Sequence, residues 1–216
     1  MEMLGLRGET VTVTEDFLFS SAHAALVFAF NYSSQYYERP LMTRLASPPT
    51  GSGKGLAGID GAAQAGFIRA EVQSLGSISE ALLIARAAQR FESCSCRASC
   101  CSGRKPNREW TAAIAVLADH VRATALAGCT SNGLLRREYV VRHFSPKDQR
   151  KGLEALAEKH GIHRDTASAH YGRVAKLLGG SRKGRDQVLG LEDAAKNAID
   201  DRLRALGLVG ENAQSA

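Results

Sequence analysis

Apolar residues recur along most of this chain at every third or fourth position, the period of a helix buried on one side. Ala22, Leu26, Val27 and Phe30 share a face from Ser20 onward, before the aromatic, polar stretch NYSSQYYERP that ends at Pro40. A second helical pattern begins near Gly61, with Ala65, Ile68, Val72 and Leu75 aligned. Ser77-Ile78-Ser79-Glu80 has the form of a capping box. It opens a third helix, with Leu82, Leu83 and Ala87 inward, that stops near Phe91. Trp110 to Leu126 repeats the pattern through Ile114, Leu117 and Val121. Leu134 to Phe144 follows, ended by Ser145-Pro146, and then come two helices either side of Gly161. A last amphipathic helix spans roughly Leu191 to Leu206, ahead of a tail, ENAQSA, expected to fray. Val11 to Thr14 alternates as a strand would, with no clear partner nearby. The pattern predicts a mainly α protein, a helical bundle. Residues 1–60 read as an N-terminal helical and loop region, and 61–130 as a helical region with a Cys-rich knuckle at 92–107. A helix-turn-helix follows over 131–182, then a C-terminal helix and tail over 183–216. The aromatics Phe28, Phe30, Tyr32, Tyr36 and Tyr37 read as core.

Charge sharpens this picture. The 216 residues carry a net +6, yet between Arg104 and Arg185 there are 17 Lys and Arg against 7 Asp and Glu. That block has a surplus of ten, and the rest of the chain is four negative. A basic block between mildly acidic ends points to a polyanionic partner. The opening MEMLGLRGET has an early Glu and no apolar run, and the longest apolar stretch, near Ala24 to Phe30, is too short to span a bilayer. The expectation is a cytoplasmic protein that does not engage a membrane.

Four of five cysteines fall within CSCRASCC: Cys94, Cys96, Cys100 and Cys101. In a reducing cytosol such a cluster reads as metal ligands or reactive thiols rather than disulfides, with metal the favoured reading. Four thiolates suit tetrahedral zinc, and a site made only of protein ligands leaves no position for a catalytic water, so the zinc is expected to be structural. Cys129 or His120 could replace one ligand. Arg97, Arg104 and Lys105 would favour the thiolates, and with Arg108 would form a common basic surface. PPTGSGKG imitates a phosphate-binding loop, but Gly55 stands where the magnesium-binding hydroxyl belongs, Pro48 where the first glycine does, and no apolar strand precedes it. NTP hydrolysis is excluded on those grounds. No dense carboxylate cluster and no nucleophile-with-base pattern speaks for an enzyme.

The most informative stretch is LEALAEKHGIHRDTASAHYG, Leu153 to Gly172. A helix-turn-helix needs a small residue where its helices cross, a turn glycine in left-handed geometry and apolar contacts on both sides. Ala157, Gly161, and Leu153, Leu156 and Ile162 supply these, with Ala167, Val174 and Leu178 continuing the inner face. His163 or Asp165 can cap the second helix. His160 and His170 stand where apolar residues are usual. The outward face then carries Arg164, Thr166, Ser168, Ala169, Arg173 and Lys176. Short polar groups there suit base edges and the cations suit phosphates, so double-stranded DNA is the expected ligand.

Leu134 to Leu178 resembles the σ-factor region 4 type of helix-turn-helix: LRREYVVRHF as leading helix, LEALAEKHGI as support helix, RDTASAHYGRVAKLL as recognition helix. The same arrangement is similar to phage late-gene antiterminators of the Q type, some of which carry cysteine zinc knuckles in a helical body. FAFNYSSQYYERPLMTRLA, GKGLAGIDGAAQAGFIRAE and CSCRASCCSGRKPNREW also resemble prophage proteins. The resemblance implies a phage or prophage transcription regulator that contacts bacterial RNA polymerase and lets it read through terminators. A small terminase-like DNA-packaging subunit and a simple repressor are the alternatives.

Overall fold

The computed structural model describes residues 17–37, 56, 58–96, 98–99, 101–181 and 188–210, with the backbone alone for 33–37 and 58. The expected strand at 11–14, the imitation of a phosphate-binding loop at 48–55 and the tail from 211 lie outside them, as do the side chains of Tyr36 and Tyr37.

The described chain is mainly helical. Helix α1 (Ala22–Tyr37) starts where Ser21 Oγ accepts the Ala24 N–H, and it runs on through the aromatic stretch as far as Tyr37. Helix α2 (Gly58–Ser74) packs against α1. Helix α3 (Ser77–Ala87) follows after a two-residue turn. Its expected capping box does not form. Gly76 is the N-cap, at φ 90°, and no side chain caps the helix. Ala81 to Ala85 and Ala87 are all buried, which makes α3 the central helix, flanked by α4 (Arg108–Ala123) and α8 (Leu191–Ala205). Trp110, at the start of α4, donates its indole N–H to Ala85 O, and Arg90 lies over its ring.

The described residues hold one small sheet, of which the sequence pattern gives no sign. Strands β1 (Phe91–Ser93) and β2 (Arg104–Pro106) pair antiparallel, Glu92 opposite Lys105, and their pairing closes a loop over 94–103. The Asn107 N–H to Arg90 O and Cys94 N–H to Gly103 O bonds extend the ladder at either end. Beyond α4 come α5 (Gly133–Phe144), a 3₁₀ turn at Lys147–Gln149, α6 (Leu153–His160) and α7 (Arg164–Gly179). One continuous core runs from Phe19 to Val209 and draws on every helix, the short α6 through Leu156. The described ends meet in a parallel bridge between Phe19 and Val209. Of the expected core aromatics, Phe30 is buried and Phe28 and Tyr32 pack against the cluster half-buried. Among the described residues no helix is long and apolar enough to cross a membrane.

Candidate functional site

The segment from α5 to α7 is assembled by three local devices. Asn132 Oδ1 accepts the Leu135 N–H and starts α5. Gly161, at φ 64° and ψ 35°, turns the chain out of α6, and the Ile162 N–H closes back on Ala157 O. His163 Nδ1 accepts the Asp165 N–H and starts α7. Of the two caps the sequence allows, His163 is the one used. Ala157 is 3 % exposed, as the crossing of two helices requires. Ala167, Val174 and Leu178 are wholly buried, and Leu153 and Ile162 pack against the core.

Burying that face turns the other outward. Arg164, Thr166, Ser168, Ala169, Arg173 and Lys176 are all exposed along α7. Five of the six side chains are free of any described partner. Arg173 is the exception: its Nη1 lies 3.1 Å from Cys129 Sγ, in the turn before α5. Asp165 is the one acid on α7, in its first turn, where the helix dipole favours it.

Of the two unexpected histidines, His160 is hydrogen-bonded through both ring nitrogens, and His170 packs against an aromatic ring. His160 sits between Asn132 Nδ2, 3.3 Å from Nδ1, and Glu138, 2.8 Å from Nε2. Asn132 Oδ1 is engaged by a backbone N–H, so its amide nitrogen faces the ring. Nδ1 therefore accepts, and Nε2–H donates to Glu138. Glu138 also meets Lys159 at 2.5 Å and Lys151 at 3.4 Å. Partial burial works against its charge, but Lys159, His160 and Lys151 outweigh this and hold its carboxyl down to about 2. His170 is buried edge-on to Tyr139, and its Nδ1 and the Tyr139 hydroxyl have no hydrogen-bond partner among the described residues. Burial lowers the His170 pKa, and Arg173 lowers it further. Burial also pushes Tyr139 up to about 12.

A second hub fixes α5 against the rest of the molecule. Glu192, in the first turn of α8, is 5 % exposed. It accepts from Arg86 Nε at 2.8 Å and Nη2 at 2.7 Å, and meets His143 at 3.0 Å and Lys196 at 2.5 Å. Burial opposes its charge, yet these donors hold its carboxyl below the usual carboxylate range. The sequence gives little sign of this hub, because an acidic first turn ordinarily faces water.

The hairpin loop gathers three of the four cysteines. The Sγ atoms of Cys94, Cys96 and Cys101 all lie within 4.8 Å of one another, and this group could hold a metal ion. Backbone N–H groups point at each sulfur: Cys96 N–H at Cys94, Ala98 N–H at Cys96 and Gly103 N–H, at 3.4 Å, at Cys101. These bonds and the neighbouring thiols lower the Cys96 pKa, while at Cys94 the adjacent thiols outweigh the Cys96 N–H and raise it. Cys100 and Arg97 lie outside the described residues. Neither His120 nor Cys129 joins the group. Arg104, Lys105 and Arg108 are exposed beside it, and Lys105 meets Glu92 at 3.4 Å.

No family model, curated protein or solved structure matches this chain.

Proposed function

We propose that α5 to α7 form a helix-turn-helix that binds duplex DNA, with α7 as recognition helix, and that the protein is a phage or prophage transcription regulator. The single observation behind this is the division of α7. Its inner residues Ala167, Val174 and Leu178 are completely buried, while Arg164, Thr166, Ser168, Ala169, Arg173 and Lys176 line its exposed side. Arg164, Thr166 and Ser168 occupy the first turns, where side chains of a helix docked in the major groove reach base edges. Arg173 and Lys176 follow, spaced for phosphates. The surplus of ten positive charges between Arg104 and Arg185 supplies the long-range attraction.

In this reading the regulator is a Q-like antitermination factor. The helix-turn-helix finds a site beside a promoter, and the remaining surface engages bacterial RNA polymerase. The cysteine loop holds a structural zinc through Cys94, Cys96 and Cys101, with Cys100 as fourth ligand, and so fixes the hairpin that displays Arg104 and Lys105. Zinc analysis of the purified protein tests the metal: about one equivalent, lost in Cys94→Ser/Cys101→Ser, is expected, and a metal-free, fully folded protein would contradict it.

Mapping the tagged protein across the host genome, with transcription read alongside, tests the regulator. The expected result is a sharp site beside a phage promoter with raised RNA beyond a downstream terminator. Lowered RNA from that promoter would mean a repressor, and occupancy at a genome end a packaging subunit; either overturns antitermination.

A further inference from the structure

A cleft of about 720 Å³ opens between the starts of α1 and α8 and is lined also by α3, α5 and Arg150. A volume of that order takes a metabolite-sized ligand. Its apolar lining is Ala22, Leu26, Leu83 and Ile199, all of them core residues. Its charged lining sets Arg86, Arg150 and Lys196 against Glu192, Asp193 and Asp200. Each of the acids already has a cation. Glu192 is met by Arg86 Nε and Nη2, His143 Nε2 and Lys196 Nζ, which fill the roughly four acceptor positions of a carboxylate. Asp193 lies 3.6 Å from Lys196, and Asp200 lies 2.7 Å from Arg204. Arg150 differs. Its Nε donates to Ser145 O at 2.9 Å and its Nη2 lies 3.5 Å from His143 O, and no carboxylate among the described residues pairs with it.

We propose that this cleft binds a small organic anion, with its apolar body on Leu26, Leu83 and Ile199 and its charged head toward Arg150. The sign of the charge follows from what is left over. A cationic ligand would find the acceptor positions of Glu192 filled, whereas an anion meets a guanidinium held only by neutral carbonyls. Helix α1 adds to this. Its first turn borders the cleft through Ala22 and His23 and contains no acid, so the positive end of that helix is uncompensated. The corresponding end of α8 holds Glu192 and Asp193. The apolar body follows from the lining: a bare inorganic anion would leave Leu26, Leu83 and Ile199 facing water, and covering them supplies most of the affinity. Arg150 is exposed at the rim, so its part is to select the charge of the ligand.

Fluorescence titration of the full chain with anilinonaphthalene sulfonate tests this, because the probe joins an aromatic body to one sulfonate and brightens away from water. One saturable site is expected, with a dissociation constant on the order of 10–100 µM. Phenylnaphthylamine, the same body without the sulfonate, should bind roughly tenfold more weakly. Arg150→Glu should weaken the sulfonate probe by roughly tenfold and leave the uncharged one unchanged. Asn197→Trp, which fills the cleft from an exposed position of its lining, should abolish binding of both. Arg150 and Asn197 are exposed, so both variants should keep their helical circular dichroism and melting temperature. No saturable binding, equal affinity for the two probes, or an affinity that neither substitution changes would overturn the proposal. None of these outcomes depends on whether α7 binds DNA.

Discussion

His170 shows how one residue couples burial to pH. Its ring replaces an apolar side chain on the inner face of α7, where burial and the nearby Arg173 favour the neutral form. The folded protein therefore takes up this proton less readily than the unfolded chain, whose histidine titrates near 6.5. The stability from His170 is present above about pH 6.5 and is lost as pH falls through that value toward the lower folded pKa. In His170→Gln, the fall in urea midpoint between pH 7 and pH 5 should be smaller than in the parent, and an equal fall in both would refute this assignment. Glu192 has the opposite chemistry and titrates lower. Its depressed carboxyl contributes stability above about pH 4.5 that is lost as pH falls below that value. Glu192→Gln should cost about 2–3 kcal/mol, less than the roughly 3–5 kcal/mol for breaking a fully buried pair, because Arg86 is a third exposed and can rehydrate. Equilibrium denaturation at pH 7 measures it, and a loss under about 0.5 kcal/mol would show the hub to be incidental.

Among the elements, the α6–α7 turn was the most legible in the sequence, and its test is conformational. Gly161 lies in left-handed geometry, and a Cβ there would meet nothing within 4 Å, so substitution changes backbone energy alone. Gly161→Val should destabilise by about 1–2 kcal/mol and Gly161→Asn by clearly less, as chemical denaturation would report. Equal costs would mean that the turn does not depend on its φ. That turn, the inner residues of α7 and the outward six were readable because helical spacing and glycine geometry are local properties. The buried face of α4 was readable for the same reason. What escaped the sequence was set from a distance. The β1–β2 hairpin depends on the pairing of Phe91–Ser93 with Arg104–Pro106 across ten intervening residues, and neither triplet has an alternating apolar pattern. Gly76 displaced Ser77 as the cap of α3, although SISE has the form of a capping box. The convergence of Arg86, His143 and Lys196 on Glu192 joins residues up to 106 positions apart, which no local signal reveals. The cysteine cluster was legible as a cluster, with Cys94, Cys96 and Cys101 drawn together, whereas the backbone N–H groups aimed at their sulfurs are a product of the loop's own turns.

On the scale of the whole molecule, one core holds α7 and the hairpin in a single described body. The buried Glu192 links α3, α5 and α8, so the helices that carry the DNA-binding face in our reading are fixed to the central helix rather than tethered to it. Glu138 and Glu192, two of the acids nearest the basic helices, are engaged by the chain's own cations. Binding to DNA through the exposed cations of α7 should weaken steeply as salt rises, since each phosphate neutralised releases a counterion. The central claim, that the outer face of α7 binds duplex DNA, is tested most directly by anisotropy titration of labelled duplex with the full chain at several salt concentrations. The account predicts salt-sensitive binding that Arg164→Ala and Arg173→Ala each weaken by roughly tenfold, a loss near 1.4 kcal/mol, without change in helical content. No binding at all, or an affinity that neither substitution alters, would contradict it.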